Sequence, residues 1–296
     1  VLNPAVVKHH PSGAILLLER GVKSQLKVIN PVDGSVESLL PTGRGPGEAV
    51  TPWDLSVDAA GTLWVSDLAT RKLISFAIGS DGSFCFDGER KLQSQFMRAI
   101  PFRDEETLIL ASSSSGNRMC VLDAAGAAVD TVGSFPYSDL LDKSVLRNSV
   151  FQSDLAVAHD GGVIVCCKSF NVIDIYAPDL SECRRLVGPE PIDVGVVARE
   201  TPMGVMYAQK PFVKVFDWVA AGTGEFMVGY VGAYTEGSVA ASEGAVKLLL
   251  FDRKGRPSKV FETPGPFRSF DVDWQNRNVY ILTSDEAARV EVYGFN

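Results

Sequence analysis

Three side chains in this chain combine the chemistry and the spacing of a recognition site: Trp53, Arg98 and Arg268. Each stands four residues before Val57 or its counterpart in a recurring hairpin, and Ser153 and Phe216 hold the same place in two further copies. Arginine offers a planar fork of donors for carboxylate, phosphate or sugar hydroxyls, and tryptophan offers a flat apolar face for a sugar ring. Arg44 adds a cation within Gly43-Arg44-Gly45-Pro46-Gly47-Glu48, where glycine permits close turning and proline stiffens the chain. Two guanidinium groups with no carboxylate at the matched positions repel one another and favour an anionic or polyhydroxylated guest. The same residues also suit a structural role, the arginines pairing with Glu48 or Asp67 and Arg44 pinning its loop. Both readings stand at the level of sequence.

The elements that must position these groups are short strands. Leu55 and Val57 alternate with polar neighbours, Asp58-Ala59-Ala60-Gly61 makes a tight turn, and Leu63-Trp64-Val65 resumes a strand that stops at Asp67. After a polar connector, Leu73-Ile74-Ser75-Phe76 reads as a third strand. Counterparts of Leu63 recur at Ile15, Leu108, Val163, Phe226 and, within a residue, Val279, at spacings of 48, 45, 55, 63 and 53 residues. Units of roughly 40 to 50 residues built from four strands are the blades of a β-propeller, whose radial repetition protects sheet edges. The expected fold is all-β: one six-bladed propeller over residues 1–296, with four-stranded blades at about 1–42, 50–92, 93–134, 150–188, 210–263 and 265–296. The last blade lacks a fourth strand of its own, which residues at or before Val1 are expected to supply. Residues 137–146 read as a short helical insertion, 189–211 as a long irregular loop over a channel mouth, and 233–244 as a small polar insertion.

Gly43-Arg44-Gly45-Pro46-Gly47-Glu48, then Leu55-Ser56-Val57-Asp58, Gly61 and Leu63-Trp64-Val65-Ser66-Asp67, resembles the blade signature of six-bladed NHL and TolB-like propellers. It is most similar to the Bacteroides-type TolB-like group, which holds many envelope lipoproteins of unassigned function. The weaker blade pattern runs over nearly the whole chain, although Arg103-Asp104-Glu105-Glu106 and Ala220-Ala221-Gly222-Thr223 depart from it. The resemblance implies a periplasmic or cell-surface location with a lipid anchor upstream of Val1.

Composition narrows the partners. The chain has 296 residues, 46% hydrophobic and 22% charged, with 28 basic against 36 acidic residues and a net charge of −8. An acidic chain without a basic run is a poor match for nucleic acid, which draws on concentrated lysine and arginine. No apolar stretch approaches the ~20 residues of a spanning helix. The five cysteines form no CxxC pair, and adjacent Cys166 and Cys167 on a strand point to opposite faces, so they read as inert buried thiols. With three histidines, His9 and His10 lying far from His159, a histidine metal site is not expected. Ser112–Ser115 lack a GxSxG context, and GRGPGE lacks the GK[ST] and helix of a phosphate loop.

The resemblance implies, and the acidic composition allows, a non-catalytic ligand-binding or protein-interaction module of the bacterial cell envelope with no cofactor. Its site is the channel mouth at Arg44, Trp53, Arg98 and Arg268, and its partner is a small anionic or glycan ligand or another envelope protein. The alternative is a channel-centred hydrolase of the calcium-dependent lactonase type. Calcium seeks six to eight oxygen ligands, and the asparagines after the first blade occupy no convincing inner-strand positions for it.

Overall fold

In the computed structural model the described residues are 4–111, 117–136, 151–188, 195–201, 204–210, 212–235, 245–284 and 288–296. The connector at 112–115, the expected helical insertion at 137–146, most of the 233–244 insertion and Val1 itself lie outside them. The described residues are strands and turns, and no helix among them is long and apolar enough to cross a membrane.

Antiparallel sheets follow one another in chain order. The first holds β1 (Pro4–His9), β2 (Ile15–Glu19), β3 (Ser24–Ile29) and β4 (Val36–Pro41). The second holds β5 (Pro52–Val57), β6 (Leu63–Asp67), β7 (Lys72–Ile78) and β8 (Phe84–Lys91). The third holds β9 (Phe96–Pro101), β10 (Thr107–Ala111), β11 (Asn117–Leu122) and β12 (Ala128–Ser134), and the fourth β13 (Ser153–Val157), β14 (Val163–Cys167), β15 (Val172–Tyr176) and β16 (Cys183–Val187). Each is a four-stranded meander of the blade type.

Two features depart from the expected six separate blades. Within the stretch expected to be irregular, β17 (Gly195–Thr201) pairs with β18 (Gly204–Lys210), since Val196, Val197, Val205 and Tyr207 are the β-branched and aromatic types that suit a strand. The fifth and sixth expected blades run together as one six-stranded sheet of β19 (Phe212–Ala221), β20 (Glu225–Thr235), β21 (Ala245–Asp252), β22 (Pro257–Asp273), β23 (Asn278–Thr283) and β24 (Val290–Gly294). Thr263-Pro264-Gly265-Pro266 does not break β22, since proline's fixed φ suits extended chain. Among the described residues the sheets are four of four strands, the β17–β18 pair and this merged one, so six separate blades are not confirmed. After the turn that follows β22, only β23 and β24 remain to that end of the sheet.

The hairpin at Asp58 forms as its sequence dictates. The Asp58 carboxylate accepts the Ala60 and Thr62 N–H groups at 2.9 Å each and the Trp64 indole N–H at 2.8 Å, while Gly61 takes φ +83°. Middle strands such as β14 and β15 are buried throughout, and outer strands such as β16 are largely exposed.

The chain divides into two compact units. One comprises Val1–Ile109, Cys120–Asp130 and Phe267–Asn296; the other comprises Leu110–Met119 and Thr131–Pro266. Within the first, Leu73, Leu92, Phe96, Ile109, Cys120 and Leu122 pack sheet face on sheet face. Within the second, Ile164, Ile173 and Ile175 pack against Val215, Phe216, Phe226 and Val228.

Candidate functional site

The site is built where β5 begins. Asp67, fully buried, accepts the N–H groups of Val50 and Thr51 at 3.1 and 2.6 Å and the Thr70 hydroxyl at 2.5 Å, fixing the chain as it enters β5. Pro52 lies opposite Asp67 and Asp54 opposite Ser66, so Trp53 is the extra residue of a β-bulge. A bulge re-aims one side chain out of the strand's alternation. The Trp53 indole, partly exposed, receives the Arg20 guanidinium 4.2 Å from its ring centroid, and Arg20 also donates to the Trp53 carbonyl at 2.7 Å.

Arg98 lies beneath. Its Nη1 stands 2.6 Å from Asp54 Oδ2, with the two side chains only 6% and 9% exposed. Burial lowers the Arg20 pKa, the Arg98 charge lowers it further, and Asp54 partly opposes them. Arg98 is thus paired with the Asp54 carboxylate, and Arg20 lies against the neighbouring indole, bonded to the Trp53 carbonyl.

The four residues singled out by sequence have different fates. Trp53 and Arg98 come together through Asp54, although not at equivalent positions. The turn bond Phe102 N–H to Glu106 carbonyl repeats that of Asp58 to Thr62, so Arg98 occupies the place of Asp54, and Met97 that of Trp53. Arg268 is the true counterpart of Trp53, being the extra residue between Phe267 and Ser269, and its Nη1 donates to the Pro4 carbonyl at 3.0 Å. Arg44 stays exposed on its loop, where the neighbouring Glu48 carboxylate accepts the Gly45 N–H at 2.8 Å. Neither Glu48 nor Asp67 pairs with these arginines as a plug would require; both bond backbone.

Ser153 belongs to a buried polar network and Phe216 to the core. Ser153 Oγ accepts from Arg118, a fully buried arginine paired with Asp174 and 2.8 Å from Cys167 Sγ. Arg185 holds the other Asp174 oxygen at 2.7 Å, so one carboxylate compensates two guanidinium groups. Phe216 packs at 5.9 Å from the Tyr230 ring.

Sequence reasoning missed Arg20 and Asp54. Asp54 carried a usable signal, a charged residue in an inward strand position beside Trp53, because such a group is rarely buried without a partner. Arg20 carried none, since the residue after the matching strand end elsewhere is Leu68. Among the described residues no group of three or more histidines, cysteines or carboxylates is placed to hold a metal ion.

No protein-family model matches the chain, and no curated protein matches it by sequence. Solved structures do. A protein of Bacteroides fragilis NCTC 9343, named an exported protein, is similar with a TM-score of 0.61 at 15% identity, over 96% of this chain and 80% of that one. Virginiamycin B lyase from Staphylococcus aureus is similar with a TM-score of 0.52 at 13% identity, over 100% and 85% of the two chains. The β-propeller domain of Myceliophteria thermophila Cps50 (Swd1) is similar with a TM-score of 0.51 at 11% identity, over 100% and 97%. With the meander sheets already described, these likenesses show that the fold is a β-propeller, and at such identities they show the fold alone.

Proposed function

We propose that this chain is a non-catalytic binding propeller of the bacterial cell envelope, holding a small anionic or glycan ligand at Arg20, Trp53 and Arg98. The observation that carries the reading is the Arg20 guanidinium held over the Trp53 face beside the buried Arg98–Asp54 pair. A guanidinium stacked on an indole and partly withdrawn from water gains from a ligand carboxylate, and the indole face suits a sugar ring. Arg44 and Arg268 belong to the proposed set as outer cations, Arg268 bracing Pro4 at the start of β1. The envelope location, periplasmic or at the cell surface with a lipid anchor, rests on the TolB-like character of GRGPGE and on the likeness to a protein named as exported.

The test is calorimetry against a panel of carboxylates and acidic and neutral glycans. Arg20→Gln is expected to weaken a ligand that binds the parent chain by about tenfold, or ~1.4 kcal/mol. Failure of every panel member to bind would remove the reading. One calcium ion per purified chain would instead favour the calcium-dependent hydrolase.

A further inference from the structure

We propose a second ligand subsite, in the other compact unit, on the bulged strand β19, which takes a saccharide bearing a carboxylate. β19 is bulged twice, between Lys214 and Phe216 and between Asp217 and Val219. The extra residue of the second bulge is Trp218, with φ +66°. A bulky residue in that region is uncommon and persists only where its surroundings over-determine it. Here the Asp154 carboxylate accepts the Trp218 N–H at 2.7 Å and fixes the turn.

Charge is layered around this ring. Lys168 Nζ bridges Asp154 Oδ2 at 3.1 Å and Asp217 Oδ1 at 2.7 Å, and Lys214 Nζ lies 2.5 Å from Asp217 Oδ2. The two carboxylates are 2% and 8% exposed, whereas the Lys168 and Lys214 side chains are 25% and 16% exposed. The carboxylates are thus the more deeply buried members of this network and the lysine side chains the more exposed. Lys168 Nζ also stands 5.8 Å from the Trp218 ring centroid, so an ammonium borders a partly exposed indole face. A pyranose ring stacked on that face would bring a ring carboxylate to the two ammonium groups, while a neutral sugar would use the ring alone.

The backbone supplies a discriminating variant. Glycine adopts φ +66° without strain, so Trp218→Gly removes the ring while easing the chain. Isothermal titration of the full chain with a uronic-acid disaccharide, a matched neutral disaccharide and sodium acetate makes the test. The acidic disaccharide is expected to bind about tenfold or more tighter than either of the others. Trp218→Gly is expected to abolish that preference with an unchanged or raised melting temperature. Lys214→Gln, which leaves Lys168 on both carboxylates, is expected to weaken the acidic disaccharide alone, and it decides the question if the glycine variant does not fold. Equal binding of the two disaccharides, absence of binding, or retention of the acidic preference in Lys214→Gln would overturn the proposal.

Discussion

A single pairing reverses the simplest expectation for Arg98. An arginine facing a binding site could be truncated with little effect on folding, but Arg98 is buried against Asp54 and its removal strands a carboxylate. Breaking one side of a buried pair costs about 3 to 5 kcal/mol, whereas replacing both sides by apolar groups of similar size is near neutral. Urea denaturation should therefore show Arg98→Ala strongly destabilised and the double variant Arg98→Met with Asp54→Leu largely restored. His10 gives a second prediction at this scale. Its Nδ1 accepts the Ser12 N–H at 3.1 Å, and its Nε2 lies 2.8 Å from the Gly61 carbonyl. Burial lowers its pKa from the ordinary 6.5, with His9 lowering it slightly more and the Gly61 bond opposing. The unfolded chain thus binds the proton more readily than the folded one. Stability from this group is complete above pH ~6.5 and is lost as pH falls through the lower folded value. His10→Gln should flatten the pH dependence of the melting temperature in that window; an unchanged slope would assign it elsewhere.

At the scale of elements, turns carry the contacts between adjacent sheets. The turn between β11 and β12 lies against the chain after β8, where the Gly126 carbonyl accepts the Gln93 N–H at 3.0 Å. A Cβ at Gly126 would lie 2.0 Å from the Lys91 carbonyl oxygen, and φ is +73°. The Lys91 carbonyl and the Leu92 Cα, 2.9 Å away, are backbone and cannot swing away. Gly126→Ala should cost roughly 2 to 5 kcal/mol, combining overpacking with left-handed strain. Gly224 has φ +86° but open space around it, so Gly224→Ala should cost only about 1 to 2 kcal/mol. Thermal melts of the two variants compare these terms directly, and similar losses would refute the role given to the Lys91 contact.

Across the whole molecule the cysteines report how the layers bury. Cys85 and Cys183 are exposed, whereas Cys120, Cys166 and Cys167 are buried and free. Burial pushes the thiols of Cys120, Cys166 and Cys167 upward, and that of Cys183 as well. Thiolate is the reactive form and must be reachable, so a disulfide reagent should modify two thiols in the native protein, Cys85 and Cys183. All five should react in denaturant. Modification of more than two under native conditions would contradict the packing of β11 and β14.

Much of the architecture is legible along the chain because it depends on neighbours in sequence. Asp58 and Gly61 specify their turn through bonds spanning no more than six residues, and the alternation around Leu55 and Leu63 selects the buried face. Trp53 could likewise be singled out, since an indole at a strand start is conspicuous. What needed tertiary structure was every property set by pairing across space. The Arg103–Glu106 turn shifts Arg98 by one position, and a one-residue shift exchanges the two faces of a strand, which is why Arg98 meets Asp54 instead of sharing a mouth with Arg268. Arg20 reaches Trp53 from 33 residues away. β22 carries two sheets as one because nothing in Pro264-Gly265-Pro266 forces an extended chain to turn. Local hydrogen bonding and periodicity decide elements; register and charge compensation are decided only when distant strands are laid side by side.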